Sequence, residues 1–418
     1  MLIHYPKKLD EIFKKLTQNS IKPIIVGGYV RDALLNTASK DIDIELYNVT
    51  SLQNIEKILK DFGNINKVGK SFGVYKLHFD DLEIDFSLPR EDSKQSSGHK
   101  GFQIEIKSSL DFTTAARRRD FTINAMGYDV VKKEILDPFG GREDLKKRVL
   151  RAVDLQKFGE DPLRILRAVS FVGRFELSAE KNLHQLLQKM IHNQALQELP
   201  KERIFEEIKK LLLKSKRPSL GLCFLQSIDG FLFFNEFQNI KKSEITLVFD
   251  ALDRSVKLLS DQTDKRKLTV MLALLCSKFS PKDQDSFLNK LTNSKDLKEE
   301  IKKLIQTEFQ LSNINDYMIY KLATEIEIAL FIPYLLALFP QKYKAISKLE
   351  KRSKELEVFH KPLKPLIQGR DLIVHGLQPS KEFTMILNNL YEKQMRGEFQ
   401  TKEEGLAIYF HPKDPSYF

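Results

Sequence analysis

Cysteine is nearly missing from this chain: Cys223 and Cys276 are the only two in 418 residues. They lie far apart without neighbouring ligands, which excludes a disulfide framework and a cysteine-built zinc site and suits a reducing cytoplasm. The 8 histidines are scattered, so no imidazole-built metal centre is expected either. No run of apolar residues is long enough to span a membrane, and no membrane partner is expected. The opening stretch, MLIHYPKKLDEIFKKL, reads as the start of an amphipathic helix; without an apolar core and small-residue cleavage site it does not read as a signal peptide. There is no low-complexity tail rich in arginine, glycine or aromatics. What is present is an ordinary apolar fraction of 42% over a length that suits roughly two to four domains. The formal charge of +11 is concentrated in clusters such as Lys146-Lys147-Arg148 and Lys209 to Arg217, and it favours a polyanionic partner. A lysine-rich solvated surface would give the same excess, so charge alone does not decide.

The organising stretch is IIVGGYVRDALLNTASKDIDIE, from Ile24 to Glu45. A short apolar strand is followed by a Gly27-Gly28 turn, a short helix, and a second strand bearing Asp41 and Asp43. Side chains two apart on a strand share a face, so the two carboxylates project together while Ile42 and Ile44 turn to a core. Adjacent carboxylates repel unless a cation sits between them, and hard oxygen donors suit Mg²⁺. The paired glycines allow backbone N–H groups to approach an anion closely. A phosphate cradle and a divalent-metal clamp at this spacing suggest nucleotidyl transfer with two metal ions.

G-G-x-V-R-D followed by D-x-D resembles the signature of the DNA polymerase β-like nucleotidyltransferases. It is most similar to the bacterial class II branch of tRNA nucleotidyltransferases (CCA-adding enzymes) and poly(A) polymerases. The fold this implies is α+β: a polymerase β-like head with a small mixed sheet, followed by an all-helical neck, body and tail. The expected divisions are a catalytic head over 1–140, a neck with the nucleobase-selecting motif over 141–215, a body over 216–310, and a tRNA-binding tail over 311–418.

Further along, Gly63-NINKV-Gly69-Lys70-Ser71 imitates a P-loop but has five residues between its glycines instead of four, and a strand follows where a helix is required. DLEIDFSL, residues 81–88, alternates cleanly: Glu83, Asp85 and Ser87 face one way and the apolar residues the other. A neighbouring strand can thus bring Asp85 or Glu83 beside the Asp41/Asp43 pair, as general base or third carboxylate; spacing to Arg90 and Gly101-Phe102 matches the family better for Asp85. PREDSKQSSGHKGF then reads as a mobile loop. In CCA-adding enzymes a flexible loop here helps switch the pocket from CTP to ATP, and its presence leans against a relative that adds only cytidines.

RRRDFTINAM, Arg117 to Met126, looks like the family's second motif and reads as an arginine run continuing into a helix, with Asn124 four residues after Asp120. By resemblance, Arg119, Asp120 and Asn124 hold the sugar and triphosphate of the incoming nucleotide, with Gly27, Gly28 and Arg31. Asp137-Pro138-Phe139-Gly140-Gly141 through Leu145 matches the third motif, D-P-x-x-G-x-x-D-L, joining head to neck; no convincing strand is read beyond it. In EDPLRILRAVSFVGRF, residues 160–175, Asp161 and Arg164 can share a helix face. In the family this pair is a protein template for the base edge, here joined by Arg167; an Asp-Pro helix start also reads as a plain cap. The stretch 199–213, around Arg203, Glu207 and Lys210, is expected to stabilise the neck.

Where many relatives carry an HD phosphohydrolase site in the body, this chain has Cys276-Ser277, and no phosphohydrolase activity is expected. Near the end, Gly369-Arg370-Asp371-Leu372 through Pro379 and the turn Gln394 to Glu398 resemble the tail of bacterial CCA-adding enzymes, with Pro379-Ser380-Lys381 in place of the usual Gly-Pro. The resemblance therefore implies a cytoplasmic enzyme adding or repairing the 3′-terminal CCA of tRNA from CTP and ATP with Mg²⁺, recognising the acceptor arm and 3′ end. Asp41 and Asp43 would hold the metal and, with Asp85, carry catalysis. An A-adding enzyme, a poly(A) polymerase and an inactive RNA-binding relative are the alternatives; oligomeric state is not read.

Overall fold

The computed structural model describes residues 3–39, 41–68, 74–79, 82–94, 102–106 and 110–410. Contacts divide the chain into two units, Met1–Asn235 and Glu236–Phe418.

The first unit opens with helix α1 (Leu9–Gln18), which buries Leu9, Ile12, Phe13 and Leu16, one stripe of a 3.6-residue period. Strand β1 (Lys22–Val26), helix α2 (Gly28–Leu34), strand β2 (Ile42–Tyr47) and helix α3 (Leu52–Lys60) follow. The sheet continues with β3 (Asn64–Val68), β4 (Val74–Phe79) and β5 (Leu82–Ser87). Two further strands, β6 (Arg90–Lys94) and β7 (Phe102–Ile106), pair only with each other. After helix α4 (Phe112–Ala116), strands β8 (Gly127–Asp129) and β9 (Glu134–Leu136) complete a seven-stranded sheet of order β3-β4-β5-β2-β1-β8-β9. It is mixed, as expected. Strands β2 and β5 run parallel, whereas β1 pairs antiparallel with both β2 and β8. The alternate apolar positions Ile42 and Ile44 of β2, and Ile84 and Phe86 of β5, are buried, which fixes the register, because a one-residue slip would turn them all to the opposite face.

Two local readings are corrected. The polar stretch after Leu88 is not simply a loop. Its first residues form β6, which pairs antiparallel with β7, from Arg90 opposite Ile106 to Lys94 opposite Phe102. Backbone pairing does not require apolar side chains, so composition hid β6; residues 95–101 lie outside the described residues, as do 69–73 of the false P-loop. RRRDFTINAM is not a continuous helix either. The chain turns after α4, and only Thr122–Asn124 forms a single 3₁₀ turn. The Asp120 carboxylate helps break the helix by accepting from the next amide, Phe121 N, at 2.8 Å.

The D-P-x-x-G-x-x-D-L motif is a joint. Asp137 accepts from the amides of Gly141 and Arg142 at 2.7 and 3.0 Å, starting helix α5 (Gly141–Lys146), and buried Asp144 accepts from Thr122 Oγ1 at 2.7 Å. Beyond it the chain is mostly helical: α6 (Leu155–Phe158), α7 (Leu163–Phe175), α8 (Lys181–His192), α9 (Lys201–Lys214) and α10 (Pro218–Ser227). One exception is a parallel pair of two-residue strands, Val149–Leu150 with Ser178–Ala179, too short to show a sequence period.

The second unit is helical. Its α11 (Lys242–Leu258), α12 (Asp264–Cys276), α13 (Pro281–Leu291) and α14 (Lys295–Gln306) lead to α15 (Asp316–Glu325), α16 (Ile328–Leu338) and α17 (Tyr343–Glu355). The last three, α18 (Gly369–Val374), α19 (Lys381–Met395) and α20 (Lys402–Phe410), enclose a small core of Ile367, Leu372, Leu390, Phe399 and Leu406. Asp371 of the tail motif is buried there and caps its own helix by accepting from Gln368 N at 2.8 Å. Cys276 is completely buried, and burial pushes its thiol up, as for a packed apolar side chain. No helix among the described residues is long and apolar enough to cross a membrane.

Helix α7 matters most for the site, and glycines set its distance from its neighbours. A β-carbon on Gly221 of α10 would meet the Val169 carbonyl oxygen at 2.7 Å and Leu211 Cδ1 at 2.5 Å. Overpacking of this kind costs about 1–3 kcal/mol, against the ~1 kcal/mol that alanine regains in helix propensity. Gly221→Ala should therefore lower the urea unfolding midpoint, and an unchanged midpoint would mean that α7 and α10 separate freely.

Candidate active site

Register places the acidic residues. Asp43 of β2 lies directly beside Asp85 of β5 in the parallel ladder, and Asp41 precedes Asp43 by one pleat on the exposed side. Of the two candidates for third carboxylate, the register therefore puts Asp85 next to Asp43. Glu83 is exposed and accepts from Lys76 Nζ at 2.9 Å, and the same ammonium lies 3.3 Å from Asp85. Although Asp43 retains exposed surface, the protein mass around it raises its carboxyl above the usual range. Arg119 opposes that shift; Asp85, Asp41 and Glu45 reinforce it. A cation between these groups would relieve the repulsion.

One step further along the same face stands Glu45, which sequence reasoning left unassigned. It has no exposed surface, and it accepts from Arg118 Nη2 at 2.9 Å, Arg119 Nη2 at 2.8 Å and Tyr47 Oη at 2.7 Å. Burial pushes its carboxyl up, but the two guanidinium groups and the phenol together hold it below the usual range. The signal was available: Asp41, Asp43 and Glu45 are successive positions of one period-2 face. Arg119, so anchored, crosses the Gly27 turn. A β-carbon on Gly27 would stand 2.7 Å from Arg119 Nη1, and Gly27 has φ +71°, a conformation that favours glycine.

A second buried chain of polar groups runs from α2 to α9. Arg31 donates to Asp32 Oδ1 at 2.8 Å and to Asn124 Oδ1 at 2.5 Å, while its guanidinium lies over the rings of Phe175 and Phe171, 4.5 and 5.3 Å from their centroids. Asn124 donates to Asp120 Oδ1 at 2.9 Å. Asp120 Oδ2 accepts from Arg167 Nε at 2.7 Å, and Arg167 Nη1 lies 4.0 Å from buried Glu207, which also pairs with Lys210 at 2.8 Å. Asn124 and Asp120 thus meet without the helix that was expected to bring them together. The Asp120 carboxylate is wholly engaged by protein groups, so it orients Arg167 and Asn124.

Asp161 Oδ1 accepts from Leu163 N at 3.0 Å, so this aspartate does cap α7, using one of its two oxygens. Arg164 donates to the carbonyls of Arg118 at 2.7 Å and Lys157 at 3.2 Å. A single cavity of about 1180 Å³ is lined by Gly28, Arg31, Asp41, Asp43, Arg119, Asp120, Asn124, Asp161, Arg164 and Arg167. Gly27 and Asp85 are outside its lining: the first lies under Arg119 and the second beside Asp43 in the sheet. Arg174, Arg203, Lys210 and Lys214 also line it, residues that the sequence reading left unassigned or gave to the neck. Among the described residues no three carboxylate, imidazole or thiolate groups converge into a complete metal cage. Two exposed carboxylates with open space beside them nonetheless fit a hard cation that keeps waters and takes phosphate oxygens as its remaining ligands.

Asp120 supplies a stability test. Burial raises its carboxyl, but Arg167, Asn124 and the Phe121 amide outweigh this and hold it below the usual range. Its contribution is therefore complete above the unfolded-state value of about 3.9 and is lost as pH falls through the lower folded-state value. Asp120→Asn, which leaves Arg167 without its main partner, should cost about 3–5 kcal/mol at neutral pH and flatten the loss of stability below pH ~4. Denaturant titrations of both proteins across pH check this; parallel curves would contradict it.

Comparison with known proteins extends this geometry. Residues 24–151 match the family described as Poly A polymerase head domain, and residues 262–409 match tRNA nucleotidyltransferase domain 2, putative. A multifunctional CCA protein of Haemophilus ducreyi is 37% identical over 228 residues, covering 52% of this chain and 53% of the relative. A CCA-adding enzyme of Buchnera aphidicola is 39% identical over 193 residues, 46% of this chain and 44% of the relative. The chain thus spans about half the length of the curated relatives it matches. Among solved structures, the Bacillus stearothermophilus CCA-adding enzyme in complex with CTP superposes with a TM-score of 0.77 at 20% identity, over 97% of both chains. The Thermotoga maritima CCA-adding enzyme complexed with tRNA gives 0.66 at 22% identity, also over 97% of both. Residues 24–151 thus match a poly(A) polymerase head domain, and the chain as a whole has the fold of the CCA-adding enzymes.

Proposed function

We propose that this chain is a template-independent tRNA nucleotidyltransferase that adds or repairs the 3′-terminal CCA, with CTP, ATP and the tRNA acceptor end as its substrates. One observation carries the proposal: a single cavity joins the Asp41/Asp43 carboxylates, the Arg31 and Arg119 guanidinium groups and the Asp161/Arg164 pair. Those are the three chemistries that nucleotidyl transfer with base selection requires. The named relatives support the reading, as does the likeness to CCA-adding enzymes with CTP and with tRNA. Residues 1–140 would form the catalytic head, 141–215 the neck, 216–310 the body and 311–418 the tRNA-binding tail. A reducing cytoplasm would be the setting.

In this reaction the RNA 3′-hydroxyl oxygen bonds to the α-phosphorus, the bond to the α,β-bridging oxygen breaks, and pyrophosphate leaves with the electron pair. Asp41 and Asp43 would hold Mg²⁺, which when bound supplies Lewis-acid polarisation of the phosphate and a more acidic 3′-hydroxyl. Asp85, beside Asp43, would take the hydroxyl proton or orient the hydroxyl. Arg31, Arg119 and Asn124 would hold triphosphate and ribose against the Gly27-Gly28 turn, with Asp120 fixing Asn124 and Arg167. Asp161, through the oxygen not used in capping, would accept from an exocyclic amine, and Arg164 would donate to ring acceptors. This pairing suits cytosine and adenine and rejects guanine and uracil.

The decisive experiment is incorporation of labelled CTP and ATP, separately and together, into tRNA transcripts lacking CCA, CA or A. Two cytidines and one adenosine, then arrest, are expected. Adenosine added only to transcripts lacking A would indicate an A-adding enzyme, and long A tails on unrelated RNA a poly(A) polymerase; either would overturn the proposal. Asp43→Ala should fold normally and lose at least about 1000-fold in rate, about 4 kcal/mol of transition-state stabilisation; unchanged incorporation would sink the metal assignment. Arg164→Ala should lose roughly 10- to 100-fold in discrimination against GTP and UTP, the worth of a hydrogen bond to a charged group, while tRNA affinity is retained. Retained selectivity would leave Asp161 a plain cap.

A further inference from the structure

Most arginines of the cavity are matched to acceptors. Arg118 and Arg119 share Glu45, Arg31 has Asp32 and Asn124, Arg167 has Asp120, and Arg164 donates to two carbonyls. Arg174 is different. It lines the same cavity from the last turn of α7, half-buried, and among the described residues no carboxylate or carbonyl accepts from it. Its guanidinium is held only by rings, 5.0 Å from the Phe175 centroid and 5.6 Å from that of Phe171. These are the two rings that also carry Arg31, so the two guanidinium groups share one aromatic pair. Burial and the nearby Arg31 charge lower the Arg174 value, whereas Asp32 and Glu207 raise it from beyond ion-pair distance. A cation in this position is held in place without being neutralised.

We infer that Arg174 is a further nucleotide ligand, which with Arg31 holds the outer phosphates of the incoming nucleoside triphosphate and then the departing pyrophosphate. The inference rests on the nucleotidyltransferase reading above. Cation–π contact with two rings restrains the guanidinium, and a fork so held loses little freedom on binding phosphate oxygens. Two such forks over one aromatic pair match an anion with several oxygens better than the single phosphates of an RNA backbone. Because the interaction lies at the phosphate end, it is indifferent to the base.

The test is steady-state kinetics of Arg174→Ala and Arg174→Lys beside the unmodified full chain, with thermal unfolding recorded for each. Arg174→Ala should raise KM for CTP and for ATP by the same factor, about tenfold, as expected for one charge-assisted hydrogen bond. It should raise the inhibition constant of added pyrophosphate in parallel and leave KM for tRNA unchanged. Arg174→Lys, which keeps charge without the fork, should fall between. An unchanged KM for nucleotides in an active, folded variant would overturn the inference, and so would a rise confined to tRNA, which would assign the anion to RNA. If Arg174→Ala does not fold, the lysine variant decides by the same two constants. An unmodified chain that incorporates no nucleotide would instead overturn the nucleotidyltransferase reading itself.

Discussion

A carboxylate with no exposed surface must be neutral or paired, and Glu45 is paired with two arginines and a phenol. This contact ties the second strand of the sheet to the turn that follows α4, and no regular secondary structure makes that connection. Because the turn is anchored there, Arg119 lies across the Gly27 backbone, and only glycine leaves space for it. The carboxylates, the glycine turn and the arginine run, distant in sequence, become one site through this buried charge cluster.

Much of this was legible in the amino-acid sequence because it depends on strict periods. Alternation put Asp41 and Asp43 on one side and both Glu83 and Asp85 on one face of a second strand; the parallel register then put Asp85 beside Asp43. The helix bearing Arg164 and Arg167 was equally plain. What was not legible depends on tertiary pairing or on competition between backbone and side chain. Asp120 and Asn124 meet across a turn, not along a helix, because the carboxylate takes the amide that a helix would have used. Strand β6, paired with β7, is built from polar residues whose composition says loop. Glu45 continued a pattern already recognised, but nothing in one sequence says which acidic residue meets solvent and which is sealed beneath arginines.

The arginine arrangement has a common logic. A guanidinium aimed at a phosphate has to be in place before the ligand arrives, since reorganising it during the reaction would raise the barrier. Here fixed acids and carbonyls orient Arg31, Arg119, Arg164 and Arg167, while aromatic rings orient Arg31 and Arg174. Asp120 and Glu45 act in this sense as scaffolding.

Helix α7 carries its capping aspartate at one end and, on one stripe, Arg164, Arg167, Phe171 and Arg174 along its length. Thirteen residues of α-helix make a rod about 20 Å long. The groups proposed to face the base and those proposed to face the phosphates are therefore mounted on one rigid lever, whose seat against α10 is the close approach at Gly173 and Gly221. On that reading, base choice and phosphate grip cannot be adjusted independently by moving this element: any tilt that shifts Arg164 also carries Arg174 along an arc at the far end. On the proposed reading, in which one site takes a pyrimidine and then a purine, the packing at that pivot sets how far the two ends can trade position.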